Sequence, residues 1–141
     1  MNHLLAALVC IAFVGIALWH FVMAFSGSGA GESAGVPSVD GKPLFVPSRR
    51  STVLVGVVLL LFAVLVMATS GVVRLGLPPR LLFWLSCALA LGLLARAVGD
   101  FRYVGLFKRV RGSRFARLDT RVYSPLCLLL ALGVAAVAWM Q

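Results

Sequence analysis

Charge is almost absent from four long stretches of this chain, and polar or basic segments separate them. The apolar stretches cover residues of about 4–25, 51–73, 80–103 and 125–140. Some 20 apolar residues of α-helix cross the hydrocarbon core of a bilayer, so each of the first three predicts a transmembrane helix. The fourth is shorter, about 16 residues or roughly 24 Å at the helical rise per residue. It reads as a short span with Tyr123 at the headgroup level and Trp139 as the far anchor.

The ends of these spans carry recognisable stop and start signals. Ser51 or Thr52 can cap the second span, and Ser70-Gly71 followed by Arg74 ends it. Gly76 and the Pro78-Pro79 pair break the chain, and Pro79 suits the first turn of the third span. Such a short link makes the second and third spans antiparallel neighbours. Ser124 as N-cap with Pro125 behind it is the simplest start for the fourth.

Two longer connections remain. Ser26 to Gly35 is Gly/Ser-rich and reads as a flexible linker. Asp40-Gly41 after it is a turn signal. Its flanks, Val36–Val39 and Leu44–Val46, predict a small hairpin or a segment lying against the membrane. The connection from Asp100 to Ser124 is basic. Tyr103, Phe107 and Val110 recur within it at helical spacing, with Arg102, Lys108, Arg109 and Arg111 on the other side. That pattern predicts a short helix lying in the interface.

Composition sharpens this picture. The 141 residues are 62% hydrophobic and 12% charged, with a mean hydropathy of +1.06. A soluble domain is about half apolar and about a quarter charged. The reading is one all-α domain over residues 1–141, a four-helix transmembrane bundle with a basic loop. The first run is taken as a span and not a cleaved leader, since Met1-Asn2-His3 has no Lys or Arg and the run is long. A net charge of +9 in a soluble protein would raise nucleic acid as a partner. Beside apolar spans it reports topology and contact with anionic headgroups instead. The loops 26–50 and 100–124 carry ten basic residues, against only Arg74 and Arg80 on the opposite side. The positive-inside bias then places both long loops in the cytoplasm of a bacterial inner membrane, with the N- and C-termini outside.

Candidate chemistry is sparse and falls at one level. His20 lies near the cytoplasmic end of the first span, Arg96 and Asp100 near that end of the third, and Tyr123 and Ser124 open the fourth. Arg96 and Asp100 are spaced i, i+4 and can pair on one helix. The plain reading is that this pair, with Asp119 and the neighbouring arginines, staples the loop to the bundle. The sharper one is a small cytoplasm-facing pocket for an anionic headgroup or metabolite, built from His20, Arg96, Asp100, Arg102 and Tyr123. Lys108, Arg109, Arg111, Arg114, Arg117 and Arg121 are assigned to lipid headgroup phosphates. On the third span, Trp84, Ala88, Gly92, Arg96 and Asp100 share a stripe whose small residues invite a neighbouring helix.

A His20–Asp100 dyad could orient an imidazole for acid–base work on a lipid-like substrate. No HExxH, His pair or carboxylate cluster is present, so no metal and no cofactor is assigned. Cys10, Cys87 and Cys127 have no paired spacing and read as small buried residues.

The stretch Gly99-Asp-Phe-Arg-Tyr-Val-Gly-Leu-Phe-Lys-Arg-Val-Arg-Gly-Ser-Arg-Phe-Ala-Arg-Leu-Asp-Thr-Arg-Val-Tyr-Ser-Pro-Leu-Cys127, with Gly41-Lys-Pro-Leu-Phe-Val-Pro47 upstream, resembles a bacterial family of small four-span membrane proteins catalogued as a domain of unknown function. The resemblance covers essentially the whole chain. It implies the four-span architecture and an inner-membrane location, and carries over no activity or ligand. The expectation is therefore a non-enzymatic accessory or anionic-lipid-binding component, with a protein partner or a second copy as further candidates. A small membrane enzyme using His20 and Asp100 is the alternative. A transporter comes third, because four short spans would have to oligomerise to enclose a path.

Overall fold

A computed structural model describes residues 2–26, 36–39 and 42–141. The long helices are α1 (Asn2–Phe25), α2 (Arg49–Thr69) and α3 (Pro79–Val98). A fourth runs without a break from Arg114 to Trp139. It consists of α4 (Arg114–Leu118), a π-helical turn (Asp119–Tyr123) and α5 (Ser124–Trp139). All four are long and apolar enough to cross a membrane. Between α1 and α2, β1 (Ser38–Val39) pairs antiparallel with β2 (Lys42–Pro43), so a hairpin forms, with its second strand at 42–43 and not in the expected flank Leu44–Val46. Its expected turn at Asp40-Gly41, and most of the Gly/Ser linker, lie outside the described residues.

The helix boundaries correct several expectations. Ser48, not Ser51 or Thr52, caps α2, and its hydroxyl accepts from the Ser51 N–H at 3.1 Å. The Ser51 and Thr52 hydroxyls instead donate to the Ser48 carbonyl from inside the first turn. The helix ends at Thr69 although the apolar run continues to Val73, because Gly71 turns the chain at φ +79°. Pro79 occupies the first turn of α3 as expected.

The fourth span differs most. Ser113 is its N-cap, with the Ser113 hydroxyl accepting from the Ala116 N–H at 3.0 Å. The helix is therefore 26 residues long, and Pro125 sits in its interior. A proline there removes one backbone donor and crowds the carbonyl four residues back. The preceding turn widens to absorb this: the Ser124 N–H donates to the Asp119 carbonyl, five residues back. Such π-turns are common at functional sites.

The core is a seam of small and branched side chains. Ala6, Val9 and Phe13 of α1 meet Ala63 and Val66 of α2, Leu89 and Ala90 of α3, and Leu130, Val134 and Val137 of α5. Phe13 packs edge-on against Phe62 at 5.9 Å between centroids. Gly56 lets α2 close on the Phe21 ring, and Gly133 does the same for α5 against Val9. Without a hydrophobic drive between helices in lipid, this closeness supplies the van der Waals contact that holds a bundle. Thr69 and Ser86 add a buried hydrogen bond of 2.8 Å between α2 and α3. The small stripe of α3 expected to meet a helix does not: Ala88 and Gly92 are exposed, while Ser86, Ala90 and Ala97 face inward.

Antiparallel packing gathers two ends of the bundle. Arg49 at the start of α2 lies over the Phe25 ring at the end of α1, 4.4 Å from its centroid. At that same end, α3 stops at Val98 and the fourth span begins.

Candidate functional site

The polar structure gathers where the loop 99–113 crosses the end of α3. No helix forms in this loop, contrary to the expected interfacial helix over 101–110. Two glycines explain why. Gly99 and Gly105 adopt φ +89° and +93° and lie backbone against backbone. A Cβ on either would run into the other strand of the loop, so only glycine allows the crossing. The Leu106 N–H then donates back to the Ala97 carbonyl at 2.9 Å, which pins the loop flat on the helix end.

Asp100 supplies a second competitor to helix. Its Oδ1 accepts from the backbone N–H groups of Arg102 (2.9 Å), Tyr103 (2.7 Å) and Val104 (2.9 Å). Aspartates favour turns because they can satisfy backbone donors in this way. These bonds, that from Val104 foremost, hold its carboxyl below the ordinary value of 3.8. A folded-state pKa below the unfolded one stabilises the loop above pH 3.8, and that contribution is lost as pH falls through the folded value. The amide resonances of Arg102, Tyr103 and Val104 should therefore titrate together with a midpoint below 3.8. Independent midpoints, or the same titration in Asp100→Asn, would show that Asp100 does not organise the turn.

Asp119 is the centre of the site. It is fully buried and receives three donors, one from α3 and two from the loop. Arg96 Nη2 of α3 donates to Oδ1 at 2.8 Å, and Lys108 Nζ of the loop donates to Oδ2 at 2.9 Å. The Gly105 N–H donates to Oδ2 at 2.7 Å. The Lys108 ammonium is buried too, and also donates to the Gly105 carbonyl (2.9 Å) and to Thr120 Oγ1 (2.6 Å). An ammonium has three protons, and all three are placed. The π-turn aims this arrangement, since Asp119 opens it and Ser124 closes it.

Comparison with known proteins adds a family. The model of a family described as a protein of unknown function, DUF3995, matches residues 13–134. The chain belongs to this family. No curated protein and no solved structure matches it. The matched segment of this DUF3995 protein contains the whole Asp119 cluster and the glycine crossing. It thus meets the resemblance drawn from the second loop, to small four-span proteins of unknown function.

The DUF3995 site brings some of the anticipated residues together and separates others. The expected Arg96–Asp100 pair does not form, because Arg96 reaches across to Asp119 and Asp100 turns to its own loop. His20 Nδ1 donates to the Ile16 carbonyl at 2.8 Å within α1. Among the described residues, no hydrogen bond or ion pair joins His20 to Asp100. The Tyr123 ring packs on Phe115 at 6.0 Å.

Arg102 lies over the Tyr103 ring, 5.0 Å from its centroid, and lines a groove with Asp100. Lys108, assigned to headgroups from its basic neighbours, is instead the buried partner of Asp119 and cannot reach a phosphate. The sequence held a signal for this: Lys108 is the only lysine among the basic residues of its loop. Its three ammonium donors match the three acceptors there, the Asp119 carboxylate, the Gly105 carbonyl and the Thr120 hydroxyl. Arg109, Arg111, Arg114, Arg117 and Arg121 are exposed. Among the described residues, no group of three or more His, Cys, Asp or Glu side chains gathers, and the three cysteines are free thiols.

Proposed function

We propose that this DUF3995 protein is a non-enzymatic component of the bacterial inner membrane whose basic cap holds anionic lipid headgroups on the cytoplasmic face. One observation carries the reading. Both carboxylates of the cap are spent internally, Asp119 on two cations and Asp100 on backbone amides, while six arginines (102, 109, 111, 114, 117 and 121) stay exposed. The cap therefore presents uncompensated positive charge on a braced scaffold. Arg111 Nε donates to the Lys108 carbonyl and Arg117 Nη1 to the Gly112 carbonyl, which fixes their stems. The same charge supports the orientation, with long loops inside and termini outside. An acid–base enzyme built on His20 and Asp100 would need them within hydrogen-bond reach, and each is engaged with backbone elsewhere.

Native mass spectrometry on protein released from mixed phosphatidylglycerol–phosphatidylcholine nanodiscs tests this. A basic residue near an anionic surface contributes about 1 kcal/mol. The fourfold variant Arg109→Gln/Arg111→Gln/Arg114→Gln/Arg117→Gln should then lose retained phosphatidylglycerol by about tenfold or more, after allowing for screening. Raising salt before release should weaken retention in the wild type alone. Equal retention by variant and wild type would overturn the proposal.

A further inference from the structure

Two phenylalanines stand out on the cap. Phe101 and Phe107 are 57% and 61% exposed, and their rings lie side by side at 6.5 Å with a tilt of 36°. Phe101 holds φ +61°, the only non-glycine residue with positive φ among the described residues. A bulky L-residue avoids this region, and where one is held there the surrounding structure fixes it. Here the fixing elements are known: the Asp100 turn on one side and the glycine crossing on the other. The rings are thus presented by a rigid loop.

The loop's height is fixed as well. Leu106 is bonded to Ala97 in the last turn of α3, and Lys108 to Asp119 in the fourth span. The loop that carries the rings is therefore held against the end of the third span and the start of the fourth. Beside the rings opens a groove of about 540 Å³, lined by Asp100, Phe101, Arg102, Arg109 and Val110. Its two guanidinium groups match an anionic phosphate in charge. Its carboxylate already accepts three backbone donors through Oδ1.

We infer that Phe101 and Phe107 form a wedge entering the headgroup–acyl boundary, and that the groove beside it seats the phosphate of an anionic phospholipid between Arg102 and Arg109. The inference rests on the headgroup-binding reading and adds to it a defined place and a depth. Aromatic rings at the boundary with cations just above them are the usual arrangement of interfacial anchors.

The test places 4-fluorophenylalanine at position 107 by stop-codon suppression, which leaves the fold undisturbed, and records ¹⁹F spectra in nanodiscs. A lipid with a nitroxide at the top of its acyl chain should broaden the signal several-fold more than a water-soluble gadolinium chelate. Raising phosphatidylglycerol should shift the signal in the wild type but not in Arg102→Gln/Arg109→Gln. Broadening by the chelate alone would put the ring in water and overturn the wedge. Broadening by neither would put it against protein and overturn it equally. A ring in lipid with no phosphatidylglycerol response would overturn the phosphate seat. The fourfold variant of the previous section leaves Arg102 and both rings intact. Lost retention there with a ring in water separates failure of the wedge from failure of headgroup binding.

Discussion

Asp119→Ala is expected to lower the stability of the protein by about 3–5 kcal/mol, the range for breaking a buried ion pair by removing one partner. The cost follows from what stays behind. Lys108 is buried and would keep only the Gly105 carbonyl and Thr120 hydroxyl as partners. The Gly105 N–H would lose its acceptor. Arg96 suffers less, because 36% of its side chain is exposed and it can turn toward the headgroup region. Melting followed by tryptophan fluorescence in mild detergent should fall by on the order of 10 °C. The asymmetry gives the sharper check. In Lys108→Met/Asp119→Leu the buried charge leaves with its partner, and replacing a buried pair by apolar groups is often close to neutral. The double variant should therefore melt above the Asp119→Ala single. A single variant that melts with the wild type, or a double that melts below the single, would show that the cluster does not hold the loop.

The contrast between Asp119 and Asp100 shows how far the sequence could be read. The four spans were legible because lipid as a solvent demands long apolar helices, and that demand is written in composition. A carboxylate near such spans must find a cation, and that too was legible. Which cation it finds was not. Spacing offers Arg96 to Asp100 at i, i+4, but α3 ends at Val98, so the two residues never share a helix. Asp119 gains Arg96 only through the packing of α3 on the fourth span, a contact separated by 23 residues.

The start of the fourth span was misread for a related reason. Ser124-Pro125 has the chemistry of an N-terminus, but Ser113 has it as well and lies ahead in the chain. The π-turn that reconciles a helix from Ser113 with a proline at position 125 leaves no pattern in hydropathy. Periodicity also misled at Tyr103, Phe107 and Val110. Their helical spacing is real, but Gly99, Asp100 and Gly105 each offer the backbone a competing conformation, and together they win.

Gly105→Ala should come next in effect, with a loss of about 2–4 kcal/mol. Two penalties add. Alanine at φ +93° is strained whatever the space around it. Its Cβ would also meet the Val98 carbonyl and the Gly99 backbone, with the Gly99 nitrogen only 2.6 Å away. Backbone cannot rotate aside as a side-chain tip can, so the two strands of the loop must part. Parting them pulls the Gly105 N–H off Asp119 and loosens Lys108, so damage spreads into the buried cluster. Trypsin should then cut faster at Arg109 and Arg111, which stand just beyond the crossing. Gly92→Ala is the matched control: Gly92 is exposed on α3, and a Cβ there meets nothing within 4 Å. Helix propensity even favours that change slightly. If Gly105→Ala melts and resists trypsin as Gly92→Ala does, the crossing is not what fixes the loop. The rigid presentation of Phe101 and Phe107 would then need another cause.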